Sequence, residues 1–241
     1  MCIRDRRIGK HAQGTIAYTT SPVHNLNTWL DLAKKIEDAG ADSLAIKDMA
    51  GLLRPFDAYE LVKNLKSTLS IPIHMQTHAT TGMSTATNMK AIEAGIDNID
   101  TSISSLSMTY GHTATETMLA IFENQDREIN LDLSALEEVS IFFKEIRDKY
   151  SEFEGNLKGV DSSMLVKQVP GGMLSNLESQ LRANKQEDKI DLVKDEIPRV
   201  RKDFGYPPLV TPASQIVGAQ ALLNIMNSRR YENLSNESLN L

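Results

Sequence analysis

In the first half of the chain two junctions are built alike. Ala39-Gly40-Ala41-Asp42 and Ala94-Gly95-Ile96-Asp97 each set a glycine between a helical pattern and a strand pattern. Glycine takes the left-handed conformation past a helix end without steric penalty, so each junction reads as a helix stop feeding directly into a strand. The segments between agree. Gly14–Thr20 is β-branched and aromatic, as strands are. Trp29, Leu32, Ala33, Ile36 and Ala39 then share one helical face. Ser43–Lys47 is a second strand. Pro55 opens a helix carrying Ala58, Leu61, Val62, Leu65 and Leu69; proline suits a first turn, whose N–H has no helical partner. Ile71–Thr77 is a third strand, with a helix carrying Ala86, Met89, Ile92 and Ala94 behind it. Asn98–Ser104 is a fourth, with a helix over Thr113–Phe122. Strand–helix units of about 25–30 residues dictate a parallel sheet with crossover helices: half of an eight-fold barrel, or a small open sheet.

From Asn124 the pattern changes. Asn124–Asn130 is polar and reads as a linker. Helices are expected at Leu133–Tyr150 and about Glu187–Asp203, with Gln168–Leu174 between them as a loop. A last helix starts near Thr211-Pro212 and carries Ile216, Val217, Ala221, Leu222 and Ile225; the tail 232–241 packs weakly. The organisation is thus residues 7–124, residues 125–241, and six residues in front. Met1–Arg6 resembles the translated end of a transposon used in sequencing libraries and is expected to be an artefact, with the native chain continuing upstream.

Composition narrows the function. Of 241 residues 41% are hydrophobic and 24% charged, with a net charge of −6. A nucleic-acid surface needs a basic face, which that balance argues against. No apolar run reaches the ~20 residues of a membrane helix, and no signal peptide is visible. Cys2 is the single cysteine, which excludes a disulfide framework or thiolate cluster and fits a reducing, cytoplasmic setting.

In parallel βα sheets function gathers at the C-terminal ends of the strands. Lys47-Asp48, then His74, Gln76 and His78, then Thr101-Ser102 fall there. Alternation puts positions 74, 76 and 78 on one face. Two imidazoles and an amide there suit a metal, although an isolated histidine in a strand is more often simply hydrogen-bonded. Lys47 as an ammonium has no lone pair to ligate with; the plain alternative is an ion pair with Asp48 or Asp100. Thr211 before Pro212 has the form of a helix N-cap. His112 reads as structural, His11 and His24 as isolated, and Arg199-Val200-Arg201-Lys202 as a solvated helix face.

The run Ile46-Lys47-Asp48-Met49-Ala50-Gly51-Leu52-Leu53-Arg54-Pro55 closely resembles the metal-ligand lysine segment of the biotin-dependent carboxyltransferases, the oxaloacetate decarboxylase and pyruvate carboxylase family. His78-Ala79-Thr80-Thr81-Gly82, Asp100–Ser105, Lys158–Asp161, Gln168–Met173 and Val210–Gly218 are similar to further motifs of that family, so the likeness spans about residues 8–235. It implies the C-terminal half of a TIM (β/α)8 barrel followed by a mainly helical carboxyltransferase subdomain. It implies a divalent metal (zinc, manganese or cobalt) on carbamylated Lys47, Gln76 and His78, and biotin on a separate or downstream carrier domain. Thr211 would shuttle a proton between biotin and substrate, with Ser214 beside it on the biotin. The implied reaction is carboxyl transfer between oxaloacetate or pyruvate and biotin.

The Ala-Thr-Thr-Gly turn resembles oxaloacetate decarboxylase alpha subunits, which implies a lyase and carries with it a sodium-pump membrane subunit and a position peripheral to the inner membrane. Alternatives are the B subunit of a pyruvate carboxylase, running in reverse with a biotin carboxylase, or a metal-dependent lyase of the HMG-CoA type. A homo-oligomer is expected at full length. The sequence departs from the family pattern at Gln76, where the family has histidine. It also lacks an aspartate ligand, a carboxylate-gripping arginine and the carrier motif. As half a barrel it is expected to be aggregation-prone and inactive alone.

Overall fold

The computed structural model describes residues 8–125, 129–154, 157–183 and 185–240. Met1–Arg6 lies outside them, as does part of the expected linker 124–130. Four strands, β1 (Gln13–Ala17), β2 (Ser43–Asp48), β3 (Ile73–Thr77) and β4 (Asn98–Ile99), form one parallel sheet in the order β1-β2-β3-β4. The crossover helices are α1 (Leu26–Asp38), α2 (Pro55–Thr68) and α3 (Ser84–Glu93), and α4 (Thr115–Ile121) follows β4. Gly40 and Gly95 both sit at positive φ, 87° and 96°, directly after α1 and α3, as the two matching junctions require.

The sheet's two faces differ in chemistry. Ile16, Leu44, Ile46, Ile73 and Met75 are buried beneath the helices against Trp29, Ala33, Leu61, Val62 and Leu65. The opposite face is polar. Gln13 donates to the Ser43 hydroxyl at 3.0 Å, and His74 Nε2 lies 2.6 Å from Asp100 Oδ1. His11 joins this row through Ser43 at 2.8 Å, while His24 stacks on Trp29, so neither histidine is isolated.

The second half is helical: α5 (Leu133–Lys149), α6 (Met164–Lys167), α7 (Gly171–Ala183), α8 (Ile190–Asp203), α9 (Ala213–Met226) and α10 (Asn236–Leu239). Its core joins Leu174, Leu177 and Leu181 of α7 to Val193, Ile197 and Val200 of α8 and Val217 and Ala221 of α9. Met164 belongs instead to the core under the sheet.

Several expectations need correction. β4 is two residues long, because Ser102 leaves β3 and pairs instead with the segment around Ala114, before a 3-10 turn at Ser104–Leu106. The buried face of α3 is Ser84, Thr87, Asn88 and Ala91, not the one through Ala86 and Met89; Thr87 is buried because its hydroxyl donates to the Leu53 carbonyl at 2.8 Å. Only the first part of 168–174 is loop, since α7 begins at Gly171 and buries Leu174. The helix expected from Glu187 starts at Ile190, after a 3-10 turn. The tail carries α10, whose Ser238 bonds buried Gln220 at 3.0 Å. The 199–202 run is not a solvated face: Val200 and Arg201 are buried.

Glu37, at the end of α1, accepts from the Ser70 amide at 2.8 Å and thereby ties α1 to the segment entering β3. Lys34 and the Ser70 bonds hold its carboxyl down at about 2, against 4.5 ordinarily. A depressed carboxyl stabilises the fold fully above its unfolded value and loses that contribution as pH falls through the folded one. Acid-unfolding curves should therefore show the wild type more stable than Glu37→Gln above pH 4.5, the difference closing as pH falls toward 2.

Candidate active site

At the end of β2 alternation sends Lys47 and Asp48 to opposite faces. Asp48 is completely buried. Its carboxylate accepts from the backbone amides of Leu52 at 2.8 Å and Leu53 at 2.9 Å, and from the Thr77 hydroxyl at 2.9 Å. Burial raises the Asp48 carboxyl above its ordinary range, while the bonds from Leu53, Leu52 and Thr77 pull it down. This explains the run that follows Lys47. The chain must fold back within a few residues to present two amides to one carboxylate, and it does so through Gly51 at φ +64°. A Cβ there would stand 2.6 Å from the His78 carbonyl oxygen, so Gly51 also packs the turn onto the end of β3. Thr81 closes the contact with a 2.6 Å bond to the Gly51 carbonyl.

Asp48 is thus committed to the turn and Asp100 to His74, and Lys47 forms a salt bridge with neither. The expected ion-pair alternative for Lys47 does not hold. Register puts Lys47 opposite Gln76, and His74 two residues back, opposite Ala45. No register shift brings His74 to the strand end; it stays with Asp100 and Gln13.

His78 Nδ1 lies 2.6 Å from the Tyr110 carbonyl oxygen. A carbonyl only accepts, so the proton is on Nδ1 and Nε2 keeps its lone pair. Burial pushes the His78 imidazole toward the neutral form, with His112 and Lys47 adding to the shift and the Tyr110 bond opposing it. Nε2 is 2.9 Å from Gln76 Nε2. The other end of that amide, Gln76 Oε1, is buried with no hydrogen-bond partner. The Gln76 amide N–H therefore donates into the His78 Nε2 lone pair, and the neutral imidazole and the unsatisfied buried oxygen would become a donor pair for a divalent cation on turning that amide over. Lys47 would join it only in an oxygen-bearing form. Among the described residues no three His, Cys, Asp or Glu side chains gather in a group that could hold a metal.

The segment 110–112, with His112 expected to be structural, borders the site as well. Its backbone receives His78 through Tyr110 and the Ala79 amide through Gly111 at 2.8 Å. His112 sits 4.7 Å from His78 between ring centroids and bonds the Thr77 carbonyl at 3.0 Å. Its place in the loop after β4, at the functional end of the sheet, was the available signal.

Lys47, Met49 and His78 form one wall of a cavity of about 640 Å³. The other wall comes from the helical half: Pro170, Met173 and Leu177 around α7, and Val210, Thr211 and Ser214 at the start of α9. Four of the five expected site residues meet there; Gln76 sits behind His78. Thr211 does not cap α9, since Pro212 occupies the cap position and no side chain bonds the first turn.

Known proteins share this architecture. Residues 8–142 match the family model described as HMGL-like, and residues 164–241 the one described as conserved carboxylase domain. The chain is 48% identical over 236 residues to the B subunit of pyruvate carboxylase from Methanocaldococcus jannaschii, covering 98% of this chain and 42% of that one. It is 50% identical over 234 residues to the methylmalonyl-CoA carboxyltransferase 5S subunit of Propionibacterium freudenreichii, covering 96% and 46%. The carboxyl transferase domain of Rhizobium etli pyruvate carboxylase, solved with pyruvate, superposes with a TM-score of 0.93 at 29% identity over 99% of this chain and 42% of that one. The chain spans less than half the length of these relatives. Its four strand–helix units correspond to part of the TIM barrel of such domains.

Two substitutions separate the turn's roles. Asp48→Asn keeps the shape but sets an amide donor among three donors, and should cost about 2–4 kcal/mol in denaturant unfolding. Gly51→Ala should displace the His78 backbone and weaken Mn²⁺ binding by about tenfold or more; titration calorimetry showing unchanged affinity would count against this coupling.

Proposed function

The chain belongs to the biotin-dependent carboxyltransferase family, and from that premise we propose that its cavity is where a carboxyl group passes between a 2-oxo acid, oxaloacetate or pyruvate, and a nitrogen of biotin. The observation that carries this is the convergence of Lys47 and His78 from the βα half with Thr211 and Ser214 from the helical half on one cavity.

The residues divide the work. His78 Nε2, Gln76 Oε1 and a carbamylated Lys47 would hold a divalent cation. Once bound, the cation supplies Lewis-acid polarisation of the substrate's keto oxygen. Burial keeps His78 neutral and the Tyr110 carbonyl holds its proton on Nδ1, so that the Nε2 lone pair, which accepts from the Gln76 amide, is the one a cation would take over. The exposed Thr211 hydroxyl both donates and accepts, as a proton shuttle must. In the decarboxylating direction the C–C bond to the leaving carboxyl group breaks and that group joins the biotin nitrogen. The nitrogen's proton passes through Thr211 to the carbon that becomes the pyruvate methyl. Ser214, buried just past Thr211, faces the same space and is assigned to the biotin ring. The apolar Met173 and Leu177 wall excludes water from the transferred group.

The Ala79-Thr80-Thr81-Gly82 turn favours oxaloacetate decarboxylation; the likeness to the archaeal pyruvate carboxylase chain supports the reverse direction as the second reading. Both need a biotin carrier domain as partner. The decarboxylase reading adds a membrane subunit, which this chain would meet from outside the bilayer: among the described residues no helix is long and apolar enough to cross a membrane.

Transfer of labelled carboxyl from oxaloacetate to the biotinylated carrier, blocked by avidin, tests the assignment in the full-length enzyme. Thr211→Ser should retain part of the rate, and Thr211→Ala should lose about 10²–10⁴-fold. An alanine variant at full rate would remove Thr211 from the mechanism. Imidazole is the better ligand, so Gln76→His should raise affinity for Mn²⁺ or Zn²⁺ about tenfold or more in metal titrations; equally tight binding by both forms would refute a weakened site.

A further inference from the structure

Arg201, on α8, is 5% exposed. Its Nε donates to the Pro207 carbonyl at 3.1 Å, and one terminal nitrogen to the Gln168 amide oxygen. The other reaches the Thr19 hydroxyl at 2.8 Å and the Thr20 carbonyl at 3.2 Å. Gln168, held at φ +56°, adds its own 2.7 Å bond to the Thr20 hydroxyl. Every one of these acceptors is neutral. Burying a cation without a counter-ion is costly, so simple adhesion between two surfaces would be served better by apolar side chains. A planar fork of five donors has a different use: it fixes the relative positions of several oxygens at once.

The three segments it joins are informative. Thr19-Thr20 follows β1, at the functional end of the sheet. Gln168 precedes Pro170 and Met173, and Pro207 precedes Val210 and Thr211, all of which line the cavity. We propose that Arg201 is a positioning residue for carboxyl transfer: it locks both stretches of the helical wall to the end of β1, and so sets where the Thr211 hydroxyl stands opposite Lys47 and His78. The proposal rests on the carboxyl-transfer reading of the cavity. It assigns Arg201 no contact with substrate or biotin.

The test uses the full-length enzyme. Lysine keeps the charge but loses the fork. Because small displacements of reacting groups cost up to about a hundredfold, Arg201→Lys should lower kcat by about ten- to a hundredfold, with KM for oxaloacetate within about twofold of wild type. Thr19→Ala should give a smaller loss in kcat alone, and should add nothing in the Arg201→Lys background, because both cut the same connection. A wild-type kcat in Arg201→Lys, or a kcat restored once corrected for folded protein, would overturn the proposal. If Arg201→Lys does not fold, Thr19→Ala decides: a kcat loss at constant KM supports positioning, and a wild-type rate refutes it. If the wild type itself transfers nothing to biotin, the carboxyl-transfer reading fails. The clamp is then judged by hydrogen exchange, where faster exchange at the Gln168, Val210 and Ser214 amides in Arg201→Lys, with the core unchanged, supports it and unaltered exchange overturns it.

Discussion

The Asp48 carboxylate is the interaction around which the barrel end of the site is arranged. Among the described residues it has no cation to pair with, yet it is completely buried, and it is stabilised by donors from two places. The Leu52 and Leu53 amides bring the loop back under β2, and the Thr77 hydroxyl comes across from β3. One buried carboxyl group therefore fixes the ends of adjacent strands against each other. Lys47 and Gln76, paired in the sheet register, and His78 just beyond inherit that alignment. The geometry that a ligand would meet is set on the dry side of the sheet, one residue away from the residues that would meet it.

That division runs through the whole sheet. The helix-facing side is aliphatic and carries the packing energy. The other side carries a hydrogen-bonded row, Gln13 to Ser43 and His74 to Asp100, beneath Lys47 and His78. Since successive side chains alternate, each strand contributes to both without compromise.

Legibility in the sequence followed the range of the interactions. The strand–helix order, the two glycine stops and the proline-started α2 depend on neighbouring residues and were readable. The family motifs also pointed to Lys47, His78, Thr211 and Ser214, which the fold brings to one cavity, their roles there being those proposed above. What failed was decided at a distance. The polar face of α3 is buried because Thr87 finds the Leu53 carbonyl, more than thirty positions away. Arg201 sits in a basic run that looks solvated, and only the folded chain brings Thr19 to it. Asp48 was the natural partner for Lys47 by adjacency alone, but strand alternation separates adjacent side chains. The site role of 110–112 is made by backbone carbonyls, which leave no mark in residue identity.

Met164 gives the two halves of the molecule a shared interior. It lies sixty-odd positions past β4, among the helical segments, yet it is 1% exposed and fills the core beneath the sheet. Asp161, just before it, donates its amide to the Thr80 carbonyl at 2.8 Å. A recombination crossover upstream of this stretch, between β4 and Met164, would therefore put a foreign residue into the core beneath the sheet. A barrel exchanged together with everything up to α7 would carry its own plug with it. Such an exchange ends between Met164 and Gly171 and keeps that core intact, while bringing a foreign α7 wall to the cavity. The packing unit of this chain is on that view neither the sheet nor the helices alone, but the sheet with the first helical turn that closes it.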